Sequence, residues 1–421
     1  MTDLADQLLR HLDASPSPYH AVAAAAESLE ARGFSAVEAR EPFPGVGRWY
    51  LTDGGALVAW IVGDDQDLTD GARIIGAHTD SPNLRIKPRP DLIGAGLAQL
   101  AVEPYGGLLL NSWLDRDLGL SGRVVVRAPG GSHEVRLLRD DRPLLRIPQL
   151  AIHLDRNVNE GLVLNRQTDM TPVWGIGASD LVGWISESLA VDTVDISGWD
   201  LMAHDTATAG YLGREDEFIV SARLDNQVSC FGAIEAIVHL DPDTPGPCPV
   251  VVLFDHEEVG SDSATGAGGP MLERVLARIV AALGGGVDEH ARMLAASRCL
   301  SADMAHATHP NHPERHEPNH HIALGAGTVV KVNATQRYAT NASGIAAVHD
   351  AAERAEVPLQ VYAHRSDMSC GSTIGPVTAT RLGIDTVDIG APMLSMHSIR
   401  EQMAAADVAP MIALFREWLC G

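Results

Sequence analysis

Cysteine is scarce in this chain. Its 421 residues hold five, Cys230, Cys248, Cys299, Cys370 and Cys420, widely scattered and without a Cys-x-x-Cys pair. That excludes a disulfide-stapled scaffold and a thiolate metal cluster, and it predicts free thiols in a reducing cytoplasm. No run of 18 apolar residues occurs, so no transmembrane helix is expected. The start, Met1-Thr-Asp-Leu-Ala-Asp-Gln7, lacks the basic stretch and apolar core of a signal peptide. Basic residues are few: 31 Lys and Arg face 55 Asp and Glu, for a formal net charge of −24. This balance argues against a nucleic-acid partner, which needs a basic footprint, and against an anionic membrane surface. The acidity itself reads as solubility. There is no internal repeat.

What is present is 45% hydrophobic, ordinary for a globular protein, in a chain too long for one compact core. Apolar spacing at Leu4, Leu8, Leu9 and Leu12 predicts a first helix over Thr2 to Leu12, broken by Ser15-Pro-Ser-Pro18. A second helix is expected from Tyr19 to Ala31, stopped by Gly33. Strands follow near Trp49–Leu51, Ala56–Ile61 and up to His78. From Lys87 to Gly213 short alternating runs take over, with a hairpin signal at Pro129-Gly-Gly131 and helical spacing only at Ala178–Leu189. This texture predicts a β-rich domain, 87–213, inserted into a discontinuous domain formed by 1–86 and 214–421. Beyond Glu215 strands alternate with helices, after Asp225 to Leu240, after Pro270 to Leu283, over Ser343–Ala355 and over Gly371–Leu382. The fold class is therefore α/β: a mixed, mostly parallel sheet flanked by helices. The proline-broken, histidine-rich segment His306–His321 reads as a solvated loop or an accessory metal-binding tract.

Five apolar runs each end on an acid or a histidine. They are Arg73–Asp80, Phe218–Asp225, Val250–Glu258, Cys299–Asp303 and Val387–His397. Ligand crevices of open α/β sheets lie at the carboxyl ends of the strands. Histidines and carboxylates delivered there suit zinc or manganese.

Each residue also has a blander reading. Glu257-Glu258 would ordinarily be two exposed loop acids. Ending an apolar strand, the pair suggests one glutamate that binds metal and one that takes a proton from metal-bound water. His78 and Asp80, two apart on an extended segment, share a side, as a metal-bound histidine and its orienting carboxylate would. A core histidine bonded to an acid would look the same. Asp225 reads as a helix N-cap or as a carboxylate bridging two cations. Asp303 carries the same ambiguity, and His397 alone would be structural. Together they are enough ligands for two metals.

The segments Ser15-Pro-Ser-Pro-Tyr-His20, Gly76-Ala-His-Thr-Asp-Ser-Pro82, Ala151-Ile-His-Leu-Asp-Arg-Asn157, Arg223-Leu-Asp-Asn226, Phe254-Asp-His-Glu-Glu-Val-Gly-Ser261, Ser301-Ala-Asp-Met-Ala-His306, Lys331-Val-Asn-Ala-Thr-Gln-Arg-Tyr338 and Met396-His-Ser398 run through nearly the whole chain in order. In them the chain resembles the aspartyl aminopeptidases, a metallopeptidase family of dinuclear-zinc exopeptidases. The resemblance implies a zinc-exopeptidase-like fold with an inserted dimerisation domain. It implies two zinc ions per subunit, with cobalt or manganese as substitutes. One would be held by His78, Asp225 and Asp303, and the other by Asp225, Glu258 and His397. Glu257 would be the general base and Asp80 the orienter of His78. His306, Lys331 and Tyr338 match substrate contacts, and His153 a histidine that reaches into a neighbouring subunit's site. The activity implied is cytoplasmic removal of N-terminal Asp or Glu from peptides, in a homo-oligomer of up to twelve subunits. A broader aminopeptidase or deacylase on the same fold is the enzyme alternative. An inactive metal-stabilised scaffold is the other.

Overall fold

The computed structural model describes residues 4–242 and 246–421. Its centre is a nine-stranded sheet in the order Ser35–Ala36, Gly47–Asp53, Ala56–Val62, Cys248–Phe254, Ala72–His78, Arg298–Ala302, Asp385–Gly390, Thr328–Val332, Leu359–Ala363. The four middle strands, 248–254, 72–78, 298–302 and 385–390, are mutually parallel. Antiparallel neighbours close them in, Ala56–Val62 on one side and Thr328–Val332 on the other. The sheet is thus mixed and mostly parallel. The middle strands are buried on both faces, which is why they read as unbroken aliphatic runs.

Side-chain alternation sends Ile75, Ala77, Val251 and Leu253 to one face. There they pack under the helices Leu4–Ala14, Pro18–Glu30, Leu224–Val238, Ala342–Ala355 and Val408–Cys420. Ile74, Val250, Val252 and Phe254 point to the other face, toward Met271–Ala282, Val287–Ala296 and Ile374–Leu382. Local signals set the helix boundaries. Ser17 caps Pro18–Glu30 by accepting from the His20 N–H, and Asn341 and Thr373 cap two later helices in the same way. Gly33, past the second helix, takes a φ of +82°, a conformation that favours glycine. The expected first helix is present from Leu4; Thr2 lies outside the described residues.

A six-stranded antiparallel sheet is built from His133–Leu145, Leu118–Arg127, Ile196–Asp205, Asn83–Gly94, Leu97–Tyr105 and Val173–Ile176, in that order. Helix Leu181–Leu189 covers it, and its core is separate, with Leu84, Leu100, Leu120, Val124 and Leu201 among its members. Gly210–Leu212 pairs instead with Phe218–Ser221, in a third sheet completed by Glu401–Ala404, Pro392–Leu394 and Ala305–His306. Two of the five runs lead through this third sheet. Phe218–Ser221 leads to Asp225 and Pro392–Leu394 leads to His397, yet both strands belong to the small sheet beside the crevice. The runs are too short for periodicity to tell which sheet they join.

Candidate metal centre

His78 is the last residue of its strand, and its register partner is Phe254 on the neighbouring strand. Asp303 directly follows Arg298–Ala302, and its N–H donates to Ile389 O at 2.9 Å. Glu257 and Glu258 lie in a short turn after Cys248–Phe254. These groups therefore sit at the carboxyl ends of three adjacent parallel strands. Asp225 approaches from the start of Leu224–Val238. It does not cap that helix: Arg223 occupies the cap position, and Asp225 Oδ1 takes no hydrogen bond from a helix N–H. His397 comes from the loop beyond Pro392–Leu394 with a φ of +67°.

The side chains converge. His78 Nε2 lies 3.4 Å from Asp225 Oδ1 and 3.5 Å from Asp303 Oδ1. His397 Nε2 lies 3.4 Å from Asp225 Oδ2 and 3.4 Å from Glu258 Oε1. One oxygen of Asp225 thus faces each histidine. Glu257 Oε2 stands 4.0 Å from His78 Nε2, farther than these four contacts. The side chains of His78, Asp225 and Glu258 are almost wholly buried, while His397 keeps 30% of its side chain exposed.

The donor set fits divalent cations. Zinc–ligand bonds of about 2.0–2.1 Å in tetrahedral array put neighbouring ligand atoms about 3.3 Å apart. The spacings on either side of Asp225 match, and they are longer than direct hydrogen bonds. Asp225 Oδ1 and Glu258 Oε1 are buried without a hydrogen-bond donor, and one atom each of His78, Asp225 and Glu258 lie within 4.8 Å of one another. Buried carboxylate oxygens left without donors are costly unless a charge meets them.

The histidine tautomers are set from behind. His78 Nδ1 contacts the Asp80 carbonyl at 3.0 Å and its carboxylate at 3.4 Å, and His397 Nδ1 contacts Gly107 O at 3.1 Å. Each Nδ1 can donate there, leaving Nε2 as the ligand atom. Asp80 also fixes the glutamate pair. Its two oxygens accept from the N–H groups of Glu257 and Glu258, each at 3.1 Å, and Oδ2 also accepts from Tyr105 OH at 2.7 Å.

Electrostatics follow from crowding. Burial pushes the Glu257 carboxyl up to about 8, against the opposing pull of His78. Burial and the neighbouring Asp225 charge hold Glu258 well above the ordinary carboxyl range. Burial would lower His78, but its contacts with Asp225, Asp303 and Asp80 outweigh it and hold the imidazole well above its usual value. His397 is pushed up to about 10, since Asp225 and Glu258 overcome its burial. In Asp225 the two imidazoles overcome burial and hold the carboxyl well below the ordinary range. The pocket thus binds protons where a divalent cation would serve the same charge, and metal entry would release them.

The remaining sequence-predicted residues lie at different distances from this cluster. Lys331 is 2% exposed, not the exposed strand lysine that its residue type suggests, and its ammonium donates to Asp303 O at 2.9 Å and Met304 O at 3.3 Å. Its Nζ also lies 3.6 Å from Asp303 Oδ2 and 5.2 Å from the Tyr338 ring centre. Tyr338 is buried near Cys370. His306 is exposed, its ring 6.3 Å from that of Tyr362. His153 stands exposed on the segment after Ile147, and among the described residues no hydrogen bond or ion pair joins it to the cluster. Three residues at the site escaped the sequence reading: Tyr105 at the end of strand Leu97–Tyr105, Gly107 just beyond it, and Glu401. Glu401 is buried, its carboxyl pushed up to about 8 by burial and by Asp225, and it bonds to the backbone of two cluster residues. No local pattern marks any of them.

Residues 11–419 match the family described as aminopeptidase I zinc metalloprotease (M18). A probable M18 family aminopeptidase 2 of Streptomyces avermitilis is 50% identical over 411 residues, 96% of this chain and 94% of that one. A chain in the cryo-EM structure of the Ape4 and Nbr1 complex superposes with a TM-score of 0.96 at 37% identity, over 99% of this chain and 85% of that chain. The mApe1 dodecamer of S. cerevisiae gives a TM-score of 0.88 at 28% identity, over 99% of this chain and 96% of that chain. The protein belongs to the M18 aminopeptidase family and is a metal-dependent aminopeptidase.

Proposed function

We propose that the enzyme carries two zinc ions per subunit and removes a single N-terminal residue, preferentially Asp or Glu, from peptides in the cytoplasm. The observation that carries the two-ion reading is Asp225, whose two carboxylate oxygens each face a different histidine at 3.4 Å. His78, Asp225 and Asp303 would hold one ion, and Asp225, Glu258 and His397 the other. Bound there, the pair would acidify a water and polarise the scissile carbonyl.

The chain's own residues supply the rest. Glu257 accepts the proton of the attacking water and delivers it to the leaving amine. Its raised affinity for protons, set by burial, suits both halves of that transfer. Asp80 holds the backbone of the Glu257-Glu258 pair and the ring of His78, so base and ligands keep their spacing. Tyr338 offers its phenol to the developing oxyanion. Lys331 has three N–H donors, two of them spent on carbonyls, and the third can meet an acidic substrate side chain near His306.

Oligomerisation is the second part of the reading. The segment carrying His153 exposes Leu150, Ile152, Leu154 and Val163, and exposed apolar side chains gathered on one segment suit a protein–protein contact. We assign the 87–213 region to dimerisation, with a homo-oligomer of up to twelve subunits in which His153 reaches a neighbour's site. The deciding experiment is a panel of peptides that differ only in the N-terminal residue, assayed after chelation and zinc add-back. Acidic termini should be cleaved fastest, and only with metal. Equal rates across the panel would replace this specificity with a broad one, and turnover of N-acylated substrates instead would make the enzyme a deacylase.

A further inference from the structure

The ligands are held in place by three different devices. His78 and Asp303 are fixed by the central sheet itself, through strand register and the Asp303 N–H to Ile389 O bond. Glu257 and Glu258 are fixed by Asp80, whose two oxygens accept their backbone N–H groups. Asp225 and His397 have neither support. Asp225 sits in an irregular turn between Arg223, at φ +62°, and the first regular turn of its helix. His397 sits in the left-handed region on a loop. Both backbone N–H groups end on one carboxylate: Asp225 N donates to Glu401 Oε2 at 3.1 Å, and His397 N donates to Glu401 Oε1 at 2.7 Å.

We infer that Glu401 is a positioning residue that clamps Asp225 and His397 face to face and so builds the second metal position, as Asp80 does for the glutamate pair. Glu401 opens the strand Glu401–Ala404, and its register partner is Ser221, four residues before Asp225. The small third sheet thereby has a purpose. It brings the chain leading into Asp225 beside the chain leaving His397, and it delivers one acceptor between them. A carboxyl suits this role, because each of its two oxygens can take one N–H at once. A glutamine has one acceptor oxygen, and its NH₂ would oppose the other N–H. The clamp acts more on one ion than on the other, because it holds two of the second ion's ligands but only the shared Asp225 of the first; the contacts that fix His78 and Asp303 do not pass through Glu401.

The inference rests on the two-ion reading above, and its test separates the two. Zinc is titrated into metal-stripped, assembled wild-type protein and into Glu401→Ala, Glu401→Gln and Met403→Ala, with stoichiometry and affinity read calorimetrically. Met403 is fully buried on the same strand and bonds to no ligand through its side chain, so its truncation controls for general loosening. The expected result is two ions in wild type and in Met403→Ala. In Glu401→Ala the ion held by Glu258 and His397 binds about 10- to 100-fold more weakly, the range seen when groups behind metal ligands are removed, and the other ion, which shares only Asp225, is weakened less. Glu401→Gln falls between. Unchanged affinities in Glu401→Ala, or equal weakening of both ions there, would overturn the clamp. A single ion in wild type would overturn the two-ion reading alone. The clamp is then judged on that ion, supported if Glu401→Ala weakens it at least tenfold beyond Met403→Ala and refuted otherwise.

Discussion

Glu257 differs from the three aspartates around it in what it lacks. Asp80 accepts from three donors, Asp225 lies between two imidazoles, and Asp303 lies against Lys331, but no hydrogen bond is donated to the Glu257 side chain among the described residues. A carboxylate with open lone pairs beside the ligand cluster is free to take a proton. Glu257→Gln should therefore lower kcat by about 10²- to 10⁴-fold. The zinc content should stay at the wild-type level by atomic absorption, and lost zinc would make Glu257 a ligand instead. Lys331 poses a different question, because its ammonium already serves Asp303 and Met304. If its third proton meets an acidic substrate, Lys331→Ala lowers kcat/KM for Asp-peptides at least tenfold more than for Ala-peptides. A loss shared by both substrates would confine Lys331 to supporting Asp303.

At the scale of elements, the N-terminal helices do more than cover the sheet. His20, in the first turn of Pro18–Glu30, is buried, with Nδ1 2.7 Å from Ser17 Oγ. Burial, helped by the nearby Arg139 and His204, pulls its pKa down to about 4. The folded value lies below the unfolded one of about 6.5, so the unfolded chain binds the extra proton. The stability held at neutral pH is therefore lost as pH falls through 6.5 toward 4, by about 2 kcal/mol at pH 5 from this residue. Melting temperatures at pH 7 and pH 5 should show a smaller acid shift in His20→Asn than in wild type, and identical shifts would remove His20 from the acid response. The same element also shows what a sequence can reveal. Ser17, Pro18 and Gly33 announce the helix locally, just as the aliphatic runs ending at His78 and Asp303 announce strands and what their ends carry. The small third sheet announces nothing, since its strands are two to four residues long and their pairing joins segments far apart in sequence. Glu401 was hidden for that reason. It stands in a polar stretch, Ser398-Ile-Arg-Glu401, and only the pairing with Phe218–Ser221 brings it beneath Asp225. The C-terminal helix Val408–Cys420 is absent from the sequence picture although its spacing, Val408, Met411, Ile412, Phe415 and Leu419, is legible, because it carries no residue of the site.

For the whole molecule, the question is why a complete ligand cluster should need neighbours. Within one subunit the crevice already joins the central sheet to the six-stranded sheet: Tyr105 bonds Asp80, and Gly107 accepts from His397. Gly106 has φ +75°, and a Cβ on it would come within 3.1 Å of the Glu258 Cβ, so glycine is what permits the approach. The segment after Ile147 is a different matter. Leu154 is 75% exposed and Val163 90% exposed, flanking a groove of about 400 Å³ whose walls include Leu114, Ile147 and Leu164. Burying such residues against another copy would stabilise an assembly by roughly 1.5–3 kcal/mol per large side chain, so charging them should reverse it. The double variant Leu154→Asp, Val163→Asp should elute as smaller species by size exclusion with light scattering, with its melting temperature little changed because neither residue belongs to a core. If His153 completes a neighbour's site, dissociation also lowers kcat/KM. Mixing then decides the matter. Inactive Glu257→Gln subunits supply an intact His153, and inactive His153→Ala subunits supply an intact Glu257, so hybrids assembled from the two should regain activity that neither parent has. Hybrids that form but stay inactive would confine His153 to its own subunit and leave the exposed face a purely structural contact.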